Sequence, residues 1–306
     1  MSFVRFIRSF SSAPSLRSAH ASNPRKTLLD IASRYNQNQA ISMVTAHDFI
    51  TGRMLEKANI DIALVGDSLA MTTLGYKDTN ELPFEEFLYH VRSVARGNAT
   101  SFLVADLPFG TFERLTDQAV DTCVRLVKEG GVQGIKVEGG NPEILPTIRK
   151  LNSMGIPIMG HVGLTPQRHN SLGGFKLQGN SVETAAQIYR EVRALQEAGV
   201  FAIVLECIPN RLAEFITANI QVPTIGIGAG PGVSGQVLVI ADMLGMCDPD
   251  DSHMAKFVKG YDGFFKRGVE GLKTYKSDLE EKKFPTEEHG YKIKKGIMDE
   301  LRKLNL

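Results

Sequence analysis

The chain has 306 residues, 42% of them hydrophobic and 23% charged, which is enough for one large core and lacks the composition of a disordered or fibrous protein. Its 35 Lys and Arg stand against 34 Asp and Glu, so no basic excess exists to hold nucleic acid through its phosphates. The 3 cysteines, Cys123, Cys207 and Cys247, share no C-x-x-C spacing, which argues against a disulfide framework and a structural zinc site. Apolar runs such as residues 60–65 fall short of the roughly 18 to 20 residues that cross a bilayer, so no membrane span is expected.

From Met1 to Leu29 there is no acidic residue, while Arg5, Arg8, Arg17, Arg25 and Lys26 stand among many serines, the composition of a mitochondrial transit peptide. Phe3, Val4, Phe6, Ile7 and Phe10 can share one face of a short helix with the arginines off it. Residues 1–25 are therefore expected to be a leader, cut between Phe10 and Asn23, that directs the protein to the mitochondrial matrix. A plain disordered tail is the alternative.

Beyond the leader a unit repeats: a short aliphatic run, a polar or glycine-rich break, then an amphipathic stretch of helical period. The runs predict eight strands, at 41–45, 62–65, 102–105, 134–137, 158–160, 202–205, 224–227 and 237–240. Helices are expected between them at 49–57, 84–96, 116–129, 142–154, 181–198 and 209–219, with a last one at 254–275. Thr116 and Ser181 are N-cap residue types, and Gly97, Gly130, Gly155 and Gly199 stand where helices should end. The strands are apolar throughout, as a parallel sheet covered on both faces requires. With β and α alternating over about 250 residues, the expected architecture is a (β/α)8 TIM barrel, not an open doubly wound sheet. The expected organisation is a leader at 1–25, a barrel at 26–285 and a charged extension at 286–306. The seventh unit is the weak one, because residues 228–235 offer a glycine-rich loop and no helix.

Barrel enzymes carry their working groups at the C-terminal ends of the strands. Here charged groups follow the apolar runs directly: Asp67 and Ser68 after strand two, Asp106 after three, Lys136 and Glu138 at four, His161 at five and Glu206 at six. A carboxylate in that setting costs several kcal/mol of desolvation unless it is paired or binds a metal. Lys136 and Glu138, two apart on a strand, face the same side. Asp67 and Asp106 come from adjacent strands, where carboxylates about 5 to 7 Å apart repel unless a cation lies between them. That pair points to Mg²⁺, since no His/Cys cluster argues for zinc. The alternative is that one Asp is protonated or paired with Lys136. Glu206, set among apolar residues that should raise its pKa, is the leading general base. Cys207 beside it reads as a small buried filler. The glycines at 226, 228 and 230 read as close backbone approach at the barrel mouth, since no helix follows to make a dinucleotide fingerprint.

These segments resemble the ketopantoate hydroxymethyltransferase family from about Thr27 to Phe265. The matching blocks are Val65-Gly66-Asp67-Ser68-Leu69, Ala105-Asp106-Leu107-Pro108-Phe109, Ile135-Lys136-Val137-Glu138-Gly139-Gly140, the run from Gly160-His161 to Pro166-Gln167, Leu205-Glu206-Cys207-Ile208-Pro209 and the glycines at 226, 228 and 230. The resemblance implies a barrel of the phosphoenolpyruvate/pyruvate-like kind. It also implies Mg²⁺ on Asp67 and Asp106 with Glu138 supporting the metal shell, contacts from Ser68, Lys136 and His161 to a 2-oxo acid, and proton removal by Glu206. The implied reaction joins 3-methyl-2-oxobutanoate to a one-carbon unit from 5,10-methylenetetrahydrofolate, giving 2-dehydropantoate on the way to pantothenate and coenzyme A. Family members are typically homo-oligomers, often decamers. The chain departs from the family at His47, where tyrosine is usual, at the loop Asn80-Glu81-Leu82-Pro83, and in the Lys-rich end from Tyr291. Two other functions compete. One is a carbon–carbon lyase or phosphonomutase of the isocitrate lyase and phosphoenolpyruvate mutase group, for which no cysteine-bearing catalytic loop is found. The other is a non-catalytic 2-oxo acid sensor.

Overall fold

Apolar runs bounded by glycine and polar residues become strands because only a pleated, doubly covered sheet buries every side chain in them. The computed structural model describes residues 25–250 and 254–304. Its strands are β1 (Ile41–Thr45), β2 (Ile62–Val65), β3 (Phe102–Asp106), β4 (Gly134–Glu138), β5 (Ile158–Gly163), β6 (Ala202–Glu206), β7 (Thr224–Ile227) and β8 (Gly235–Leu238). They pair in chain order, all parallel, and β8 returns to β1 to close a barrel. The TIM barrel expected from sequence is the fold of the chain.

The helices are α1 (Leu28–Asn36), α2 (Phe49–Lys57), α3 (Leu69–Thr72), α4 (Phe84–Gly97), α5 (Thr116–Lys128), α6 (Leu145–Ser153), α7 (His169–Leu172), α8 (Val182–Glu197), α9 (Asn210–Ala218), α10 (Ile240–Met243), α11 (Phe264–Glu280) and α12 (Ile297–Lys303). Ser181 caps α8 by accepting from Thr184 N at 3.2 Å, as its residue type suggested. Thr116 is instead the first residue of α5, with Leu115 before it at the cap. No helix lies between β7 and β8, as the glycine-rich sequence there implied.

Inside the barrel, Met43, Ile62, Leu64, Phe102, Val104, Met159, Val204 and Ile225 form one buried cluster. Ile31 of α1 joins it. α1 was not anticipated, although Thr27 and Asp30 form a box at its start, with Thr27 N and Oγ1 on the Asp30 carboxylate at 2.7 and 2.8 Å. Just before β2, Asp61 takes Lys26 and Arg34, each at 3.2 Å, which ties α1 to the N-terminal end of the barrel. The opposite end is left to the chemistry.

The chain divides into two units. The first runs to Ile240 and includes Lys256–Val258; the second comprises Ala241–Ala255 and Lys259–Leu306. In the second, α11 and α12 bury no residue, and α11 is laced by ion pairs one turn apart, Lys273 with Glu270 and Lys276 with Glu280. α11 begins ten residues later than the sequence suggested, because Gly260 and Gly263 precede it and the chain there stays non-helical. The expected leader, apart from Arg25, lies outside the described residues.

Candidate active site

Three strands end on a charged residue that continues the pleat instead of opening a loop, and a fourth carries a histidine near its end. Asp106, Glu138 and Glu206 are the last residues of β3, β4 and β6, and His161 lies within β5. Register does the assembling: Asp106 pairs with Lys136, Glu138 with His161, and Gly163 with Glu206. Since alternate residues share a face, Asp106 follows Phe102 and Val104 on one face, Glu138 follows Lys136 and His161 follows Met159, each a step nearer the C-terminal end of the barrel. Asp67 and Ser68 join them from the turn into α3.

All seven residues singled out from the sequence line one cavity of about 100 Å³: Asp67, Ser68, Asp106, Lys136, Glu138, His161 and Glu206. Its other wall is apolar, made by Leu64, Val204, Ile227, Val237 and Val239. A wider hollow of about 270 Å³ in the second unit is lined mostly by apolar groups such as Ala241, Met254 and Phe265. A third hollow of about 570 Å³, lined by Tyr35, Asn38 and Thr217, is larger still and holds no charged side chain, whereas the converging buried charge lies in the barrel.

Lys136 Nζ is 3.1 Å from Asp106 Oδ1 and 3.2 Å from His161 Nδ1. An ammonium only donates, so Nδ1 of His161 accepts and its proton sits on Nε2, which faces Glu206 Oε2 at 3.1 Å. Asp106 Oδ2 accepts from Asp67 N at 3.0 Å. Asp67 Oδ2 accepts from Gln167 Nε2 at 2.8 Å, and Glu138 Oε2 from Gln167 N at 3.1 Å.

Buried carboxyl groups outnumber the single ammonium, and their proton affinities record it. Burial, then the neighbouring Asp106, pushes the Asp67 carboxyl up to about 7, against the opposing pull of Lys136 and Gln167. Burial, then Asp67, holds Glu138 well above the usual carboxylate range. Burial would strip Lys136 of its proton, but Asp106, Glu138 and Asp67 reverse this and raise it above the ordinary lysine value. Burial and Lys136 together lower His161, which keeps it neutral. Glu206 is the most open of the acids, its side chain 15% exposed against 3% for Glu138.

The donor set suits a hard divalent cation, because adjacent carboxylates short of positive charge are what Mg²⁺ takes when it keeps its remaining positions for water and substrate oxygens. Asp106 Oδ1 is buried without an aligned hydrogen bond, facing Lys136 alone. Among the described residues no three His, Cys, Asp or Glu side chains converge as a ready-made metal cage, so the fit rests on the Asp67 and Asp106 pair. The alternative pairing of Lys136 with an aspartate is present too, on that one oxygen of Asp106.

Sequence reasoning gave no role to Gln167 or to the apolar wall. Gln167 closes the segment that begins at Gly160 and His161, but a loop glutamine carries no signal until its partners are known. His47 does not line the cavity; its carbonyl accepts from His90 Nδ1 at 2.5 Å. Asn80, the other departure, donates to the Gln167 carbonyl at 3.1 Å.

Solved structures share the fold. Phosphonopyruvate hydrolase in complex with oxalate and Mg++ aligns with TM-score 0.55 at 13% identity over 92% of this chain and 96% of that one. Phosphoenolpyruvate phosphomutase from Streptomyces platensis subsp. rosaceus aligns with TM-score 0.56 at 13% identity over 92% and 98%. At such identities the likeness shows the barrel alone. Sequence relatives go further. The 3-methyl-2-oxobutanoate hydroxymethyltransferase of Emericella nidulans is 44% identical over 93% of this chain and 82% of that protein. That of Moorella thermoacetica is 44% identical over 89% and 100%. The mitochondrial 3-methyl-2-oxobutanoate hydroxymethyltransferase 2 of Oryza sativa subsp. japonica is 45% identical over 87% and 67%. A family model described as ketopantoate hydroxymethyltransferase matches residues 25–287, which decides against the lyase reading: the chain belongs to the ketopantoate hydroxymethyltransferase family.

Proposed function

We propose that this enzyme transfers a hydroxymethyl group from 5,10-methylenetetrahydrofolate to 3-methyl-2-oxobutanoate, giving 2-dehydropantoate, with Mg²⁺ as its metal. The observation that carries this reading is a single buried cavity whose charged wall holds Asp67, Asp106 and Lys136 and whose opposite wall is aliphatic. The charged wall suits the carboxylate and keto oxygens of a 2-oxo acid, and the aliphatic wall suits a branched side chain. A cavity of about 100 Å³ takes a small acid of this kind but not a folate, so the donor approaches from the mouth.

Lys136 offers positive charge to the substrate oxygens, and Ser68, lining the same cavity, offers a hydroxyl donor. Glu206 takes the proton from C3, and the electron pair left behind spreads into the keto group as an enolate. His161 stands against that base, its Nε2 3.1 Å from Oε2. C3 then bonds to the methylene carbon, both bonds from that carbon to the folate nitrogens break, and one water supplies the hydroxyl; the proton taken from C3 and one from the water end on the two nitrogens, leaving tetrahydrofolate. Bound Mg²⁺, held by Asp67 and Asp106 with Glu138 supporting its shell, would supply Lewis-acid stabilisation of the negative oxygen. Kinship with a mitochondrial plant protein supports reading residues 1–25 as an import leader to the matrix, and the family likeness supports homo-oligomeric assembly. A fluorescent fusion of residues 1–30 that stayed cytosolic would contradict the leader.

Turnover of 3-methyl-2-oxobutanoate with and without folate and Mg²⁺ tests the reading. Product is expected only with both, and Glu206→Gln should retain 2-oxo acid binding while losing about 10²-fold or more in rate. Cleavage of a substrate without folate, or binding without turnover, would contradict it.

A further inference from the structure

Gln167 is 5% exposed and does not line the cavity, yet it touches the end of every charged strand from β2 to β4. Its amide nitrogen donates to Asp67 Oδ2 and to the Leu107 carbonyl, both at 2.8 Å. Two acceptors require a group with two donors, so the amide orientation is fixed by its partners. Its backbone N donates to Glu138 Oε2 at 3.1 Å from the short turn Pro166–Arg168. Its carbonyl in turn receives Asn80 Nδ2 at 3.1 Å.

We propose that Gln167 is the positioning residue that locks the Asp67 and Glu138 carboxyl groups in the orientation in which they hold the divalent cation, and that Asn80 seats it. The inference rests on the proposed function. An amide suits the task because it is neutral. A lysine or arginine in its place would cancel the negative charge that attracts the cation, whereas an apolar residue would leave Asp67 Oδ2 and the Leu107 carbonyl buried without donors. With one oxygen given to Gln167, Asp67 cannot turn freely, and Leu107, next to Asp106, ties the lock to the second aspartate. The loop after β2 thereby reaches the metal carboxylates through the loop after β5, and it does so with Asn80, a residue of the segment where this chain departs from its resemblance.

The test is Mg²⁺ titration of the full-length protein by calorimetry without substrate, paired with kcat and KM over a range of Mg²⁺ concentrations. Gln167→Met, close in volume and without donors, is expected to weaken Mg²⁺ binding by about 10- to 100-fold and to regain kcat at high Mg²⁺, as loss of an outer-shell partner does. Asn80→Ala, which leaves the Gln167 side chain in place, is expected to weaken binding several-fold. A folded Gln167→Met with Mg²⁺ affinity within twofold of wild type overturns the inference, even if its Tm is lower. Should that variant fail to fold, unchanged affinity in Asn80→Ala overturns it instead. Wild-type protein that binds no Mg²⁺ overturns both this inference and the metal it rests on.

Discussion

Asp67 retains its proton up to about 7 in the fold, whereas an aspartate in the unfolded chain loses its own near 4. Between those values the folded state binds more protons, so this group costs stability progressively as pH rises from about 4 to 7, and costs none below. Asp67→Asn removes the cost. Without Mg²⁺ the variant should melt several °C above wild type at pH 8, and the gap should close towards pH 5. Mg²⁺ binds the deprotonated carboxylate and should raise the wild-type Tm at pH 8 with little effect on the variant. Thermal melts across pH check this, and a gap independent of pH would contradict it. The charged residues were legible in the sequence because each directly follows buried aliphatic residues, a placement that demands a reason. Gln167 was not legible, since a neutral side chain in a loop breaks no rule.

Strand boundaries show what apolar patterning can and cannot give. β3, β4 and β6 run one residue further than their aliphatic runs, because the terminal Asp106, Glu138 and Glu206 still pair with the neighbouring strand. β8 begins two residues earlier than expected, at Gly235 and Gln236, which pair with Ile41 and Ser42. The apolar run 237–240 pointed to the wrong bounds because Ile240 opens α10. The junction of β5 and β6 sets the base in place: Gly163 has φ of 93°, and a Cβ there would lie 2.2 Å from the Glu206 carbonyl. Gly163→Ala should therefore cost about 1–3 kcal/mol of stability, with kcat falling as Glu206 is displaced. Urea unfolding alongside kinetics checks it, and a variant with wild-type stability and rate would contradict it.

Across the whole barrel, the alternation of strand and helix was enough to name the architecture, because parallel strands joined by helices over this length have few ways to close. The sequence did not show α1, whose nine residues begin inside the acid-free segment, at Leu28, where leader and helix share one composition. Nor did it show that the charged groups of the cavity come from β2 to β6 while its aliphatic lining is completed mainly from β7 and β8, beside Leu64 of β2 and Val204 of β6, since that needs the closure of the barrel. That division is what makes a branched 2-oxo acid a fitting substrate. On the proposed function, the cation-poor carboxylates and Glu206 turn C3 of such an acid into a nucleophile. Exchange of the C3 proton of 3-methyl-2-oxobutanoate, followed by NMR in deuterated water without folate, measures that step alone. Exchange should require Mg²⁺ and be lost in Glu206→Gln; exchange that persists in the variant, or after Mg²⁺ is chelated, would rule this chemistry out.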